Sequence, residues 1–264
     1  MPYVNVSGQK AYYEYKGEPG FKSGKRVLLI SGAGGNHTGW LSVLDYFGKE
    51  QSIIALDLPG HGNSEGKASD QIPVYRDFVK AFVEAIDFPL PFIIGGASMG
   101  GGISLDFALE YREMLEALVL ISTGARLRVL PATLESLKKI ADGEIEPQPF
   151  TTETWDPSIP EEYRERAREM RDKTDRAVQY GDMMACDRFE RMPRLGEINI
   201  PTLILCGTHD TQTPLKYSRY FKTYIANSKL EIFKNAGHGL STERPCEFSF
   251  ALESFLLELS DVGR

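Results

Sequence analysis

The sequence predicts an α/β protein built on a mostly parallel sheet. Short apolar runs recur along the 264 residues, and segments with a helical period separate them. From Val27 onward the runs are continuously apolar, which is typical of strands that are covered on both faces. Because helical segments separate consecutive strands, crossover connections and a parallel sheet are expected, with helices on both faces.

Eight strands are predicted in chain order. The first two, residues 4–6 and 11–15, flank Ser7-Gly8 and are typical of a hairpin. The six later runs lie at residues 27–31, 53–56, 92–97, 117–121, 202–206 and 230–233.

Two segments carry apolar stripes with a helical period. The first stripe steps by four residues through Val74, Phe78, Phe82 and Ile86. The second lies near the C-terminal end and comprises Phe248, Ala251, Leu252, Phe255 and Leu259. We expect both stripes to pack against the sheet.

Residues 126–195 interrupt this alternation. Of these 70 residues 28 are charged, against 39 of the other 194, and no strand-like run occurs among them. Apolar positions fall on one helical face at Tyr163, Ala167, Met170, Ala177 and Val178. Charged residues pair at i,i+4 on the opposite side, as Glu162/Arg166, Glu169/Lys173 and Asp172/Arg176. We therefore expect a helical cap of residues 126–195, inserted into a core of residues 1–125 and 196–264.

Methionines are concentrated in this insertion, which holds four of the seven. Because methionine adapts to irregular apolar shapes, Met183 and Met184 are candidate substrate contacts. Ordinary packing of the insertion explains them equally well.

Composition excludes several classes of function. Thirty Lys and Arg against 37 Asp and Glu give a net charge of −7 without a basic block, so nucleic acid is not an expected partner. No run approaches 18 apolar residues and the first ten residues lack a secretory pattern, so neither a membrane partner nor export is expected. The three cysteines are odd in number and widely spaced, which favours free thiols in the cytoplasm.

A nucleophile motif follows the fifth predicted strand. Residues 96–100 read Gly-Ala-Ser-Met-Gly and lead into a helical stretch, which is G-x-S-x-G in its strand, turn and helix context. The turn is so tight that side chains at positions 96 and 100 would collide with the backbone, and glycine avoids the clash. Ser98 is therefore the candidate nucleophile.

A serine hydroxyl needs a base with a pKa near 7 and a carboxylate that orients the base. Of the four histidines, His238 follows the last strand and Asp210 follows the preceding one, at the same sheet edge as Ser98. His209 adjoins Asp210 and is expected to point away from it. His61 and Asp57 are expected to stabilise a Pro-Gly-rich loop.

In this order of nucleophile, acid and base, the chain resembles the α/β-hydrolase fold enzymes of the esterase, lactonase and carbon–carbon hydrolase group. Three further segments are similar to loops of that family: residues 57–64 (DLPGHGNS), residues 207–214 with their acid, and residues 237–245 with Gly-His and Glu-Arg-Pro. The resemblance covers essentially the whole chain. It implies an eight-stranded, mostly parallel sheet with a helical cap, and neither a cofactor nor a metal.

The resemblance also implies an oxyanion hole made by the backbone N–H groups of Ala33 and Met99. This segment departs from the family, which usually has His-Gly after the third strand, whereas this chain has Ser31-Gly32. His37 and Trp40 follow the loop and are candidate substrate contacts, a surface role for His37 being the alternative. Glu243 is expected to brace the loop that carries His238.

The function expected from these residues is hydrolysis of carboxylic esters with short to medium acyl chains. The same residues would also serve a lactonase or a carbon–carbon hydrolase acting on a dienoate, or a perhydrolase. A ligand-binding relative without catalysis is the alternative from another class, although such proteins usually lack one of the three residues. The expected partner is a small ester or lactone, and the oligomeric state stays open.

Overall fold

The structure is a computed structural model, and it describes residues 3–261. One eight-stranded sheet occupies its centre. Its strands are β1 (Tyr3–Val6), β2 (Gln9–Lys16), β3 (Arg26–Ile30), β4 (Ser52–Leu56), β5 (Phe92–Ala97), β6 (Leu115–Ile121), β7 (Thr202–Gly207) and β8 (Ser228–Phe233). All eight strands predicted from the sequence are therefore confirmed, with bounds that differ by a few residues.

The helices follow the strands as the alternating pattern predicts. They are α1 (Leu41–Phe47), α2 (Ile72–Ala85), α3 (Met99–Glu110), α4 (Pro131–Ala141), α5 (Glu161–Lys173), α6 (Arg176–Arg188), α7 (Leu215–Tyr224), α8 (Leu240–Glu243) and α9 (Pro245–Asp261).

The strand order is β1-β2-β4-β3-β5-β6-β7-β8. The pairs β1–β2 and β2–β4 are antiparallel, and all later pairs are parallel. The mostly parallel α/β fold is confirmed. Because β3, β5, β6, β7 and β8 run in one direction, the loops after them emerge at the same edge of the sheet.

The core forms two apolar layers, one on each face of the sheet. Alternate residues of β3 enter different layers: Leu28 and Ile30 pack in the layer of α2 and α3, whereas Val27 and Leu29 pack in the layer of α1 and α9. All four side chains are fully buried. Coverage on both faces explains why these strands read as continuous apolar runs.

The two predicted helical stripes differ in outcome. In α9 the stripe is confirmed, since Phe248, Leu252 and Phe255 are buried. In α2 the predicted stripe is wrong at its first position, because Val74 is 52% exposed. The buried face of that helix comprises Ile72, Tyr75, Val79, Phe82 and Val83, which is rotated from the predicted one.

Helices α4, α5 and α6, here called the inserted helices, lie between β6 and β7. The prediction of one helical face across residues 163–178 is wrong. Helix α5 ends at Lys173, and Asp175 begins α6 by accepting a hydrogen bond from Ala177 N at 2.8 Å. Ala177 is exposed, while Ala167 and Met170 are buried as expected.

Of the three predicted i,i+4 ion pairs, only Glu169–Lys173 forms, at 4.0 Å. Arg166 pairs with Glu14 of β2 at 2.8 Å, and Arg176 pairs with Glu146 at 2.7 Å. Arg166 and Arg176 pair with these distant residues because α5 faces β2 of the core and α6 faces the loop between α4 and α5. In the described residues 3–261, no helix is long and apolar enough to cross a lipid bilayer.

Candidate active site

Ser98 occupies the sharp turn between β5 and α3. Its backbone adopts φ +54° and ψ −117°, a strained conformation for a residue with a side chain. The turn is held in place by Ser98 N, which donates to Ile121 O of β6 at 2.9 Å. The Ser98 side chain is half-buried. A strained serine at the start of a helix is the geometry that the G-x-S-x-G motif predicts.

The two flanking glycines permit this turn. A Cβ atom at Gly96 would lie 2.2 Å from Gly100 C and O, and one at Gly100 would lie 2.3 Å from Ile30 O. Both distances are shorter than any real contact. The predicted need for glycine at positions 96 and 100 is confirmed.

His238 and Asp210 meet at the same sheet edge. His238 Nδ1 lies 2.9 Å from Asp210 Oδ2, and the two residues come from the loops after β8 and β7. These loops pack so closely that a Cβ at Gly207 would lie 2.2 Å from Ala236 O. Exposed His209 lies beside Asp210 and takes no part in this contact.

Asp210 is held as an ionised hydrogen-bond acceptor. Its Oδ1 accepts from the backbone N–H groups of Gln212 and Thr213 at 2.9 and 2.8 Å, and the Thr213 hydroxyl donates to Oδ2 at 2.8 Å. Burial alone would raise the pKa of Asp210, but the hydrogen bonds from His238 and Thr213 outweigh it and lower the pKa below its usual value. The ionised carboxylate fixes the proton of His238 on Nδ1 and leaves Nε2 as the acceptor.

The histidine loop has its own brace. Glu243 accepts from Gly237 N at 2.5 Å and from Gly239 N at 2.9 Å, one bond on each side of His238. The predicted bracing role of Glu243 is confirmed. Within the described part of the chain, no hydrogen bond joins Ser98 Oγ to His238. Such bonds are often long before substrate binds.

The loop after β3 passes beside Ser98. A Cβ at Gly32 would lie 3.1 Å from Ser98 Cβ and 3.7 Å from its Oγ. Ala33 N and Met99 N, the two predicted oxyanion donors, have no hydrogen-bond acceptor within residues 3–261. The next residue differs, since Gly34 N donates to Asp182 Oδ2 at 2.7 Å.

A cavity of about 300 Å³ opens beside this loop. Its walls are formed by the loop after β3, by Ala97 next to Ser98 and by the inserted helices with the segment before them; the side chains include Trp40, Phe150, Trp155, Ala167, Arg171, Gln179 and Ser241. Of the four candidate substrate contacts, Trp40 lines this cavity, whereas His37, Met183 and Met184 are not among its lining residues.

His37 is fully buried in a polar cluster, so the alternative of a surface loop histidine is wrong. Its Nδ1 lies 2.8 Å from Asp57 Oδ2, and its Nε2 lies 2.9 Å from Arg166 Nη2 of α5. Asp57 also accepts from Asn63 N at 2.9 Å. Asp57 therefore anchors its own loop, as predicted, and His37 connects that loop to α5.

A second buried cluster surrounds Asp182 of α6. Besides Gly34 N, its carboxylate is bonded to His61 Nε2 at 2.7 Å and to the Tyr75 hydroxyl at 2.5 Å. Burial alone would lower the pKa of His61, but the hydrogen bond and the charge of Asp182 outweigh it and raise this pKa. His61 thus has the structural role that the sequence predicts, although its partner was not foreseen.

Sequence reasoning missed two residues beside the loop after β3, Asp182 and Arg171. A signal for Asp182 exists, because it continues the buried helical spacing of Val178, Ala185 and Cys186. Arg171 carried no signal, since it lies on a helix with many charged residues. In residues 3–261, no group of three or more His, Cys, Asp or Glu side chains could hold a metal ion.

Residues 27–251 match the family described as the Alpha/beta hydrolase family. A solved structure described as a thermophilic esterase is 31% identical, with a TM-score of 0.77 and coverage of 97% of both chains. The enol-lactonase from Burkholderia xenovorans LB400 shares the fold, with a TM-score of 0.81, 22% identity, and coverage of 97% of this chain and 100% of its own.

A curated relative extends the comparison. Monoacylglycerol lipase ABHD6 of Homo sapiens is 24% identical, over 98% of this chain and 83% of its own length. An uncharacterized protein of Mycobacterium tuberculosis, Rv2715, is 27% identical over 89% of this chain and 76% of its own length. The relatives with named activities are hydrolases, and together with the matching family they support a hydrolase.

Proposed function

Because this chain belongs to the alpha/beta hydrolase family, we propose that it is a serine hydrolase that cleaves carboxylic esters through an acyl-enzyme. The observation that carries the proposal is the 2.9 Å contact between His238 Nδ1 and Asp210 at the sheet edge that also bears Ser98. The esterase and lipase names among the relatives support an ester bond as the target. A cavity of about 300 Å³ fits a short to medium acyl chain.

In the proposed acylation step, Ser98 Oγ attacks the ester carbonyl and its proton passes to His238 Nε2. Asp210 stabilises the imidazolium through the Nδ1–H bond. The negative charge that develops on the carbonyl oxygen is bound by the N–H groups of Ala33 and Met99, which have no competing acceptor in the described residues. The tetrahedral intermediate then expels the alcohol, which takes the proton from His238.

Deacylation repeats the sequence with water. His238 Nε2 removes a proton from a water molecule as the water attacks the acyl-Ser98 carbonyl, and the same two N–H groups bind the oxyanion. Collapse of the intermediate returns the proton to Ser98 and releases the carboxylic acid.

The inserted helices have a proposed role as a cap. Residues 126–195 contribute Phe150, Trp155, Ala167, Arg171 and Gln179 to the cavity walls. Because these side chains face the loop after β3, the cap would set the shape of the pocket that receives the acyl group.

A kinetic comparison of esters tests the proposal. With 4-nitrophenyl acetate, butanoate and octanoate, we expect turnover of the two shorter esters and loss of on the order of 10⁶ in kcat on Ser98→Ala. Ser254→Ala is the matched control, since Ser254 lies on α9 and its hydroxyl donates to Phe250 O, its one hydrogen bond in residues 3–261. A loss below tenfold for Ser98→Ala would show that the nucleophile lies elsewhere.

Labelling separates catalysis from mere ligand binding. A fluorophosphonate probe reacts with an activated serine, so we expect one label per wild-type chain and none on Ser98→Ala. An unlabelled wild-type protein would favour the non-catalytic alternative. Acyl-homoserine lactones and ring-cleavage dienoates in the same kinetic panel distinguish a lactonase and a carbon–carbon hydrolase from an esterase.

A further inference from the structure

The cavity beside Ser98 contains one charged side chain among its described lining residues, Arg171. This arginine lies in the last turn of α5 and is half-buried. The rest of the wall is aromatic, small or uncharged. A single cation in such a wall favours a ligand with a negative charge.

The guanidinium of Arg171 has only neutral hydrogen-bond acceptors. Its Nη2 donates to Gln179 Oε1 at 2.5 Å and its Nη1 donates to Gly34 O at 3.5 Å. In residues 3–261, no carboxylate lies within 4 Å of it, whereas Arg166 and Arg168 of the same helix each pair with a glutamate. Three of its five N–H groups therefore have no acceptor in the described residues.

Nearby acids do not supply the missing counterion. The charge of the buried Asp182 acts on Arg171, but no salt bridge joins the two in the described residues, and the Asp182 carboxylate accepts from Gly34 N, His61 and the Tyr75 hydroxyl. Asp172 is exposed. Burial lowers the pKa of Arg171 from its ordinary value, which reflects the loss of water around the cation. An arginine nevertheless stays charged at neutral pH.

Arg171 also lies near the reacting centre. A Cβ at Gly34 would lie 2.7 Å from Arg171 Nη1, and a Cβ at Gly32 would lie 3.1 Å from Ser98 Cβ. One residue, Ala33, lies between these glycines, so their Cα atoms are at most about 7 Å apart. A short substrate can therefore contact both Ser98 and Arg171.

Resting on the ester hydrolysis proposed above, we propose that Arg171 binds a carboxylate at the far end of the acyl group. The preferred substrates are then monoesters of short dicarboxylic acids. The planar guanidinium matches a carboxylate through two parallel hydrogen bonds. One cation balances one negative charge, which favours a carboxylate over a phosphate monoester with about 1.5–2 charges.

The test compares two esters that differ only at the chain end: mono-4-nitrophenyl glutarate, which ends in a carboxylate, and 4-nitrophenyl pentanoate, which ends in a methyl group. For the wild type we expect a higher kcat/KM with the glutarate ester. In Arg171→Gln the ratio of the two kcat/KM values should fall about 10- to 100-fold, mainly through KM. Arg171→Lys keeps the charge and should restore part of the ratio.

Lys173→Gln is the matched control, because it removes the same charge from the same helix at a side chain that is 63% exposed and outside the cavity. Its ratio should stay within twofold of that of the wild type. A wild-type ratio of one or less, or equal ratios in the wild type and Arg171→Gln, would overturn the proposal.

A binding measurement keeps the proposal testable when neither ester is hydrolysed, an outcome that would contradict the esterase function alone. Glutarate is titrated calorimetrically into Ser98→Ala with Arg171 present and with Arg171→Gln added. At least tenfold weaker binding in the double variant supports the carboxylate site. Absent or equal binding overturns it.

Discussion

Replacing Asp182 with alanine would remove the acceptor of three buried donors: Gly34 N, His61 Nε2 and the Tyr75 hydroxyl. A buried polar group without a partner costs about 1–3 kcal/mol, and breaking a buried charged pair costs about 3–5 kcal/mol. Because Asp182 is the group that raises the pKa of His61, its removal lets His61 lose its proton and its charge, and we expect a total near the second range. At about 2–4 °C per kcal/mol for a chain of this size, the melting temperature should fall by roughly 6–20 °C.

The same substitution should also slow the reaction. Asp182 holds Gly34 N, and Gly34 directly follows Ala33, the proposed oxyanion donor. Complete loss of such a donor costs about 2.7–4 kcal/mol of transition-state stabilisation. In Asp182→Ala the Ala33 N–H group is less firmly positioned but still present, so only part of this stabilisation is lost. We therefore expect kcat to fall about tenfold, with a smaller change in KM.

The assays are thermal unfolding followed by circular dichroism and steady-state ester hydrolysis below the melting transition. Asp172→Ala is the control for stability, because its carboxylate is exposed and makes no hydrogen bond within the described residues. Its free energy of unfolding should stay within about 0.5 kcal/mol of that of the wild type. A melting temperature of Asp182→Ala within about 2 °C of that of the control, together with an unchanged kcat, would refute the reasoning.

Three further predictions concern the candidate site and its supports. Asp210→Asn should lower kcat about 10⁴-fold, since the amide no longer fixes the His238 tautomer; near-wild-type turnover would assign the role to another acid. Gly100→Ala should abolish folding or turnover, because its Cβ would lie 2.3 Å from Ile30 O, and a stable, active variant would contradict the tight turn. The raised pKa of His61 predicts stabilisation that is complete below about pH 6.5 and is lost as the pH rises through the folded-state pKa. Urea titrations at pH 6 to 9 should show this loss in the wild type but not in Asp182→Asn.

The sheet could be predicted from sequence because a strand that is buried on both faces has apolar residues at consecutive positions. Strands β3 to β7 are largely apolar and buried, and the turn chemistry at Ser98 allows only glycine at positions 96 and 100. The expectation of coverage on both faces is wrong for the edge strand β8, which contains Lys229 and Glu231 and is only partly buried. Helix α2 was predicted less well. Val74 fits the period of its stripe, but the helix is rotated so that Tyr75 faces the core and donates to Asp182.

The packing of the insertion could not be predicted from sequence, because a charged residue there can either lie exposed to solvent or form an ion pair with the core. Arg166 and Asp172 fit an exposed face equally well by spacing, yet Arg166 reaches Glu14 at 2.8 Å and Asp172 stays exposed. The helix break at residues 174–175 depends on the Asp175 cap, which competes with a continuous apolar stripe. Long-range partners decide both outcomes, and they are not encoded in local spacing.

The loop after β3 has a serine where the resemblance to the family leads one to expect histidine. Ser31 stands in that position, and its hydroxyl donates to Asn36 O at 2.8 Å and accepts from Trp40 Nε1 at 2.9 Å. These bonds close the loop on itself. In addition, Gly34 N of this loop donates a hydrogen bond to Asp182 Oδ2 of α6 at 2.7 Å.

Three polar contacts in the described residues join the inserted helices to this loop. Arg166 lies 2.9 Å from His37 Nε2, Arg171 donates to Gly34 O at 3.5 Å, and Asp182 accepts from Gly34 N. All three contacts fall on residues 34–37, directly after Ala33. Because the proposed oxyanion donor is a backbone group, its direction depends on this segment, and the inserted helices thus act on the proposed chemistry as well as on the shape of the pocket.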